Sequence, residues 1–224
     1  MQRASRFFSE SQRQAIEQAV ASVESKTSAE IVPVLATASG RYDRAEDIAG
    51  LWVAALFFSL TWLLFRNAPA DADWGIAWGR YELPMLLAAL LVGFMAGAAT
   101  ATNVAWLRRL FTPRAQMRAE VNLRARQVFV DWRVHRTATG AGLLVYISLY
   151  ERMTVILADG AGLDALGQER IERLCAELTP VLQSSDPGSG FCTFLTQLGD
   201  ELAPKLPRSE SDTNELPNRL VLVD

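Results

Sequence analysis

Histidine and cysteine are nearly missing from this sequence, and their scarcity closes off several kinds of chemistry. His135 is the one histidine in 224 residues, so a histidine-based metal cluster or nucleophile–histidine pair has little to draw on. Cys175 and Cys192 are the two cysteines. They lack paired metal-binding spacing, and as two reduced thiols they fit a cytoplasmic location. No serine nucleophile elbow occurs, and the Gly160-Ala161-Gly162 turn lacks the lysine and length of a phosphate-binding loop. The net charge of −3 argues against a nucleic-acid partner, because phosphate neutralisation needs a basic surface. Residues 1–11 are polar and hold no apolar signal-peptide core.

Charge is also missing from two long stretches, residues 48–65 and 83–107. The first matches the shortest membrane spans in length; the second exceeds the roughly 20 residues a hydrocarbon core requires. Buried helices of soluble proteins are apolar too, but Trp52, Trp62, Trp74, Trp78, Tyr81 and Trp106 gather near the ends of these runs, where amphipathic rings favour a membrane interface. Both runs are therefore expected to be transmembrane helices, joined as a hairpin in the lipid bilayer. Gly93 and Gly97, with Ala89, Ala96 and Thr100, make a face of small residues that either packs the hairpin or forms a homodimer. Beyond the second run come Arg108, Arg109, Arg114, Arg118, Arg124 and Arg126, whereas Arg66, just after the first run, and Arg80, in the connection over 67–82, stand against Asp71, Asp73 and Glu82. Positive charge stays inside, so both termini are expected in the cytoplasm of a multi-pass cell (inner) membrane protein.

Around the hairpin, helix and strand patterns alternate. Ser9 and Gln12 form a capping-box pattern ahead of the stripe Ile16, Val20 and Val23. Residues 30–35 read as a strand, with Pro33 pointing to a place near a sheet edge. Thr112 and Pro113 introduce a helix with Met117, Val121, Ala125, Val128 and Trp132 on one face and arginines beside it. Residues 143–148 and 153–158 read as an antiparallel β-hairpin, and 168–182 and 191–202 as amphipathic helices. The last stretch, 204–224, is rich in proline, acids and serine and reads as a mobile tail. Asp159 and Asp164 flank a glycine turn at a strand end. Such carboxylates either present themselves to calcium or magnesium or serve only the local backbone.

The segment Thr139-Gly140-Ala141-Gly142-Leu143-Leu144-Val145-Tyr146-Ile147-Ser148, then Glu151-Arg152 and Val155-Ile156-Leu157-Ala158-Asp159, resembles the TPM domain family. Thr27-Ser28-Ala29-Glu30-Ile31-Val32 does so as well. That family is named for a thylakoid lumen protein, a photosystem II repair factor and an accessory protein of acetylcholine receptors. The resemblance implies an α/β fold, a small sheet flanked by amphipathic helices, here interrupted by the transmembrane hairpin. Its two parts would be 8–38 and 113–203. It also implies an interaction or assembly and maintenance factor for a membrane protein complex, with another membrane protein as partner. The alternative it implies is a weak divalent-cation-dependent phosphatase. The chain departs from the family pattern in having Arg6-Phe7 where an aspartate is common before the first helix, and Thr137 and Thr139 where acidic or amide residues are common.

Overall fold

The computed structural model describes residues 3–66, 75–104, 109–209 and 214–224. Trp74, Trp106, Arg108 and the connection over 67–74, on which part of the orientation argument rests, lie outside them. The chain divides into two units: 41–114, and 2–40 together with 115–224.

The first unit holds α2 (Asp43–Arg66) and α3 (Gly75–Asn103), which follow α1 (Glu10–Glu24) of the other unit in chain order. Each contains a stretch long and apolar enough to cross a membrane, Glu46–Arg66 with mean hydropathy 2.1 and Tyr81–Thr102 with 2.0. Only 17% of each stretch is buried, with Trp52 at 68% and Leu83 at 67% exposure, which is unlike the core helix of a soluble protein. The connection is shorter than expected, because residues 75–82 already belong to α3. Arg80 and Glu82 interrupt the apolar pattern without interrupting the helix, since isolated charges do not break one.

The glycine face is occupied inside this unit. A Cβ on Gly93 would stand 2.9 Å from Ala54 Cα, and one on Gly97 would stand 2.9 Å from Gly50 Cα. Gly93 and Gly97 thus let α3 approach α2 of the same chain. Packing of the hairpin is one of the two uses expected of this small-residue face.

The second unit is built on one mixed sheet in the order β3-β2-β1-β4. Strand β1 (Glu30–Ala36) pairs in parallel with β2 (Gly142–Ser148), although the first unit separates them in sequence. Strand β2 pairs antiparallel with β3 (Met153–Ala158), as the hairpin pattern indicates. Every residue of β1 and β2 is buried, because both faces are covered. Ile31, Leu35, Leu143, Val145 and Ile147 meet α1, α6 (Gln168–Val181) and α7 (Pro187–Leu202) through Ile16, Leu174 and Leu195. Val32, Val34, Leu144 and Tyr146 meet α4 (Arg114–Asp131) through Val121, Ala125 and Val128. At the start of α1, Ser9 and Gln12 complete the capping box: the Gln12 N–H donates to Ser9 Oγ and the Ser9 N–H to Gln12 Oε1.

One expectation needs correction. The 204–224 segment is not simply a mobile tail: Val221–Val223 form β4, paired in parallel with Val34–Ala36, and Leu220 and Val221 are buried. Three strand residues after a polar, proline-rich stretch are too few for a periodicity signal. Strand β1 thus lies next to the edge strand β4, near a sheet edge as Pro33 indicates, but is not the edge itself. Pro33 is tolerated because of its register: the Glu30 N–H donates toward β2, to Ala141 O (3.2 Å), so odd-numbered residues face the other side. There β4 begins only at Val34, the Ile31 N–H is taken by Glu24 Oε1 at 3.0 Å, and Pro33 has no N–H to satisfy.

Candidate functional site

The two aspartates singled out from the sequence belong to one short helix and its N-cap. Asp159 is the N-cap residue of a short helix, α5 (Gly160–Leu166), with no side-chain cap bond, and Asp164 lies within that helix. The glycine turn is therefore helical. Its amides are used locally, Asp159 N–H donating to Gly142 O (2.8 Å) and Ala161 N–H to Gly140 O (2.9 Å). Among the described residues, no group of three or more His, Cys, Asp or Glu side chains is placed to hold a metal ion.

Thr137 and Thr139 precede the glycine that opens β2. Thr139 Oγ1 donates to Ser28 O at 3.1 Å. Thr137 is buried, and His135 lies in a short 3-10 turn with its ring 6.0 Å from that of Phe129.

Sequence reasoning missed a polar cluster at the carboxyl ends of β1 and β2, the end at which open α/β sheets commonly bind ligands. Ser39, in the loop after β1, has its Oγ 3.0 Å from the Tyr146 hydroxyl and donates to Ser148 Oγ at 2.9 Å. Ser148 donates to Glu151 Oε2. Glu151 Oε1 accepts from the backbone N–H groups of Ser39 (2.9 Å) and Gly40 (3.3 Å). Burial pushes the Tyr146 hydroxyl above its ordinary pKa, the hydrogen bond with Ser39 opposes this, and the Glu151 carboxylate adds to it. Both Glu151 oxygens are engaged, and the amides of Ser39 and Gly40 are spent on that carboxylate rather than free for an oxyanion. The cluster therefore staples the β1 loop to the β2–β3 turn, where Arg152 takes a left-handed conformation (φ 54°). Its members lie more than 100 residues apart on either side of the apolar runs, so no local motif marks them.

A groove of about 750 Å³ runs along β3, bounded by α4 and α6. Its floor includes Val155 and Leu157, half-buried on the α4 side. Arg118 and Arg126 of α4 and Arg152 at the start of β3 line it, all three exposed. The opposite wall carries Glu172 and Cys175, whose thiol pKa is pushed up by burial against an opposing interaction with the Ile156 N–H.

No family model matches the chain, and no curated protein matches it. Among solved structures, the chain is similar to the NMR structure of the BA42 protein from the psychrophilic bacterium Bizionia argentinensis, with 16% identity, a TM-score of 0.54, and coverage of 96% of this chain and 94% of that one. At that identity the likeness concerns the fold.

Proposed function

We propose that this protein is a membrane-anchored TPM-like domain that serves as an interaction or assembly and maintenance factor for a membrane protein complex. The observation that carries this reading is the insertion itself. One sheet is assembled from segments on both sides of two apolar helices whose outer surfaces are exposed. Exposed leucine and tryptophan over helices of this length match a hydrocarbon environment. The order helix, strand, apolar pair, helix, strand, strand, helix supports the TPM reading. A phosphatase mechanism has less to rest on, since hard-cation catalysis uses several convergent carboxylates and, among the described residues, no group of three or more metal-capable side chains comes together. In this reading the helices form an inner-membrane hairpin and both termini are cytoplasmic.

The test is affinity purification of the full chain from mildly solubilised membranes, with captured proteins identified. A specific membrane protein recovered in stoichiometric amount is the expected result; recovery of the chain alone overturns the interaction reading. Carbonate washing should leave the chain in the membrane pellet, and release would overturn the anchor. Single cysteines placed at Ala70 and Ala138 in a cysteine-free chain should label oppositely with an impermeant reagent in intact cells. Equal labelling would overturn the orientation.

A further inference from the structure

The sheet stops at β3 while the helical layers on its two faces continue past it. The groove runs against the whole of β3 together with residues of α4 on one side and α6 on the other, which is the space a fifth strand would fill. Because the Asp159 N–H bonds to β2, the antiparallel alternation turns Thr154, Ile156 and Ala158 outward with both their N–H and C=O groups. Among the described residues these groups bond to no other backbone. The Ile156 N–H reaches the Cys175 thiol, a weak acceptor that a peptide carbonyl readily replaces. An edge of this length is normally blunted or covered.

We infer that the groove beside β3 binds an extended acidic segment of a partner protein, which pairs with Thr154, Ile156 and Ala158 and sets its carboxylates against Arg118, Arg126 and Arg152. This rests on the interaction reading above and deepens it by giving the partner's chemistry. Strand addition supplies sequence-independent hydrogen bonds, and side chains on alternate residues supply selectivity. The three guanidiniums form no ion pair among the described residues, so they are available to a ligand. Arg118 and Arg126 are two helical turns apart, about 12 Å. Strand residues four apart span about 13 Å, so acidic residues at that spacing on one face of the segment match them. The same charges disfavour a second copy, since antiparallel pairing of two β3 edges would bring six arginines together. Glu172 on the α6 side selects against carboxylates on the segment's other face.

The test uses the full chain in uncharged detergent and a fluorescent nine-residue peptide of valine and threonine with two glutamates four apart. Controls replace both glutamates with lysine or put proline at the centre. Fluorescence anisotropy should show the glutamate peptide binding about tenfold or more tightly over both controls, with salt weakening it. Amide exchange at Thr154, Ile156 and Ala158 should slow when it binds. The Arg118→Glu/Arg126→Glu chain, altered at exposed positions, should prefer the lysine peptide; if it misfolds, Arg118→Gln/Arg126→Gln and the peptide charge swap decide. Equal binding of the glutamate and lysine peptides, or binding without protection of the three amides, overturns the inference. So does protection that appears on concentrating the chain alone, which would assign the edge to a second copy. Protection produced by phosphatidylglycerol vesicles but not by the peptide would assign the groove to lipid and overturn it too. Failure of the peptide leaves a co-purified partner standing, whereas purification of the chain alone leaves the peptide result standing, so the two readings fail separately.

Discussion

Deleting residues 210–224 removes β4 while keeping the bridge between Thr27 and Pro207, and the size of the effect can be worked from the burial and strand pairing that β4 supplies. Leu220 and Val221, 7% and 6% exposed, enter the cores on opposite sheet faces; their burial contributes about 2 kcal/mol each. Pairing with Val34–Ala36, extended by the Thr37 N–H to Val223 O bond at 2.8 Å, adds about three hydrogen bonds near 1 kcal/mol each. Ordering Leu220 through Val223 costs about 5 kcal/mol of chain entropy. The net contribution is therefore about 2 kcal/mol. It also limits what any change inside the strand can do: Val221→Asp should cost about as much as the deletion, because β4 can undock instead of burying a carboxylate. Leu144→Ala has no such escape in a central strand and should cost roughly 2–5 kcal/mol. Urea unfolding in mild detergent, followed by exposure of the Cys175 thiol, reports on this unit without signal from the tryptophans of α2 and α3. With a slope of about 2 kcal/mol per molar, the deletion and Val221→Asp should each lower the midpoint by about 1 M. An unchanged midpoint on deletion would mean the segment contributes nothing to the fold, and a Val221→Asp effect far above the deletion's would refute the undocking argument.

Gly142→Ala should prevent accumulation of folded protein, because its Cβ would lie 1.9 Å from the Val134 carbonyl oxygen; detergent-stable yield measures this, and near-normal yield would contradict the packing. The Asp224 carboxylate is held below its usual pKa, chiefly by the Thr37 hydroxyl and then by Ser5. A depressed carboxylate contributes stability that is present above its unfolded value and lost as pH falls through its folded one. Asp224→Asn should therefore flatten the acid limb of the urea midpoint below the usual carboxylate range and leave its slope near neutrality unchanged. Burial raises the pKa of both Cys175 and Cys192, so at pH 8 both should alkylate more slowly than a free thiol and both should accelerate in urea. Labelling at the free-thiol rate in the native chain would place the cysteines outside the packed unit.

The sequence determined those elements whose signal is local. The capping residues Ser9 and Gln12, the stripe Ile16, Val20 and Val23, the face Met117, Val121, Ala125 and Val128, and the two charge-free runs were legible because helical periodicity and length are properties of neighbouring residues. The doubly apolar run Leu143 to Ile147 also announced a strand covered on both faces. Only the tertiary structure decided matters that depend on a distant partner. Pro33 signals a place near an edge, and three residues near the C-terminus make β4 that edge by pairing just beyond it. Gly93 and Gly97 offered a small-residue face, but whether α2 or a second chain fills it is fixed by which helix arrives. Asp159 and Asp164 flank what reads locally as a glycine turn, and the structure makes that turn the start of a short helix. Glu151 gains its role from Ser39, more than a hundred residues earlier, which the parallel pairing of β1 with β2 brings to it. The arginines of α4 read only as neighbours of an apolar stripe, and a groove appears beside them because the sheet ends at β3. Periodicity records which side of an element is buried, whereas register and neighbour identity arise from long-range pairing that no window of sequence contains.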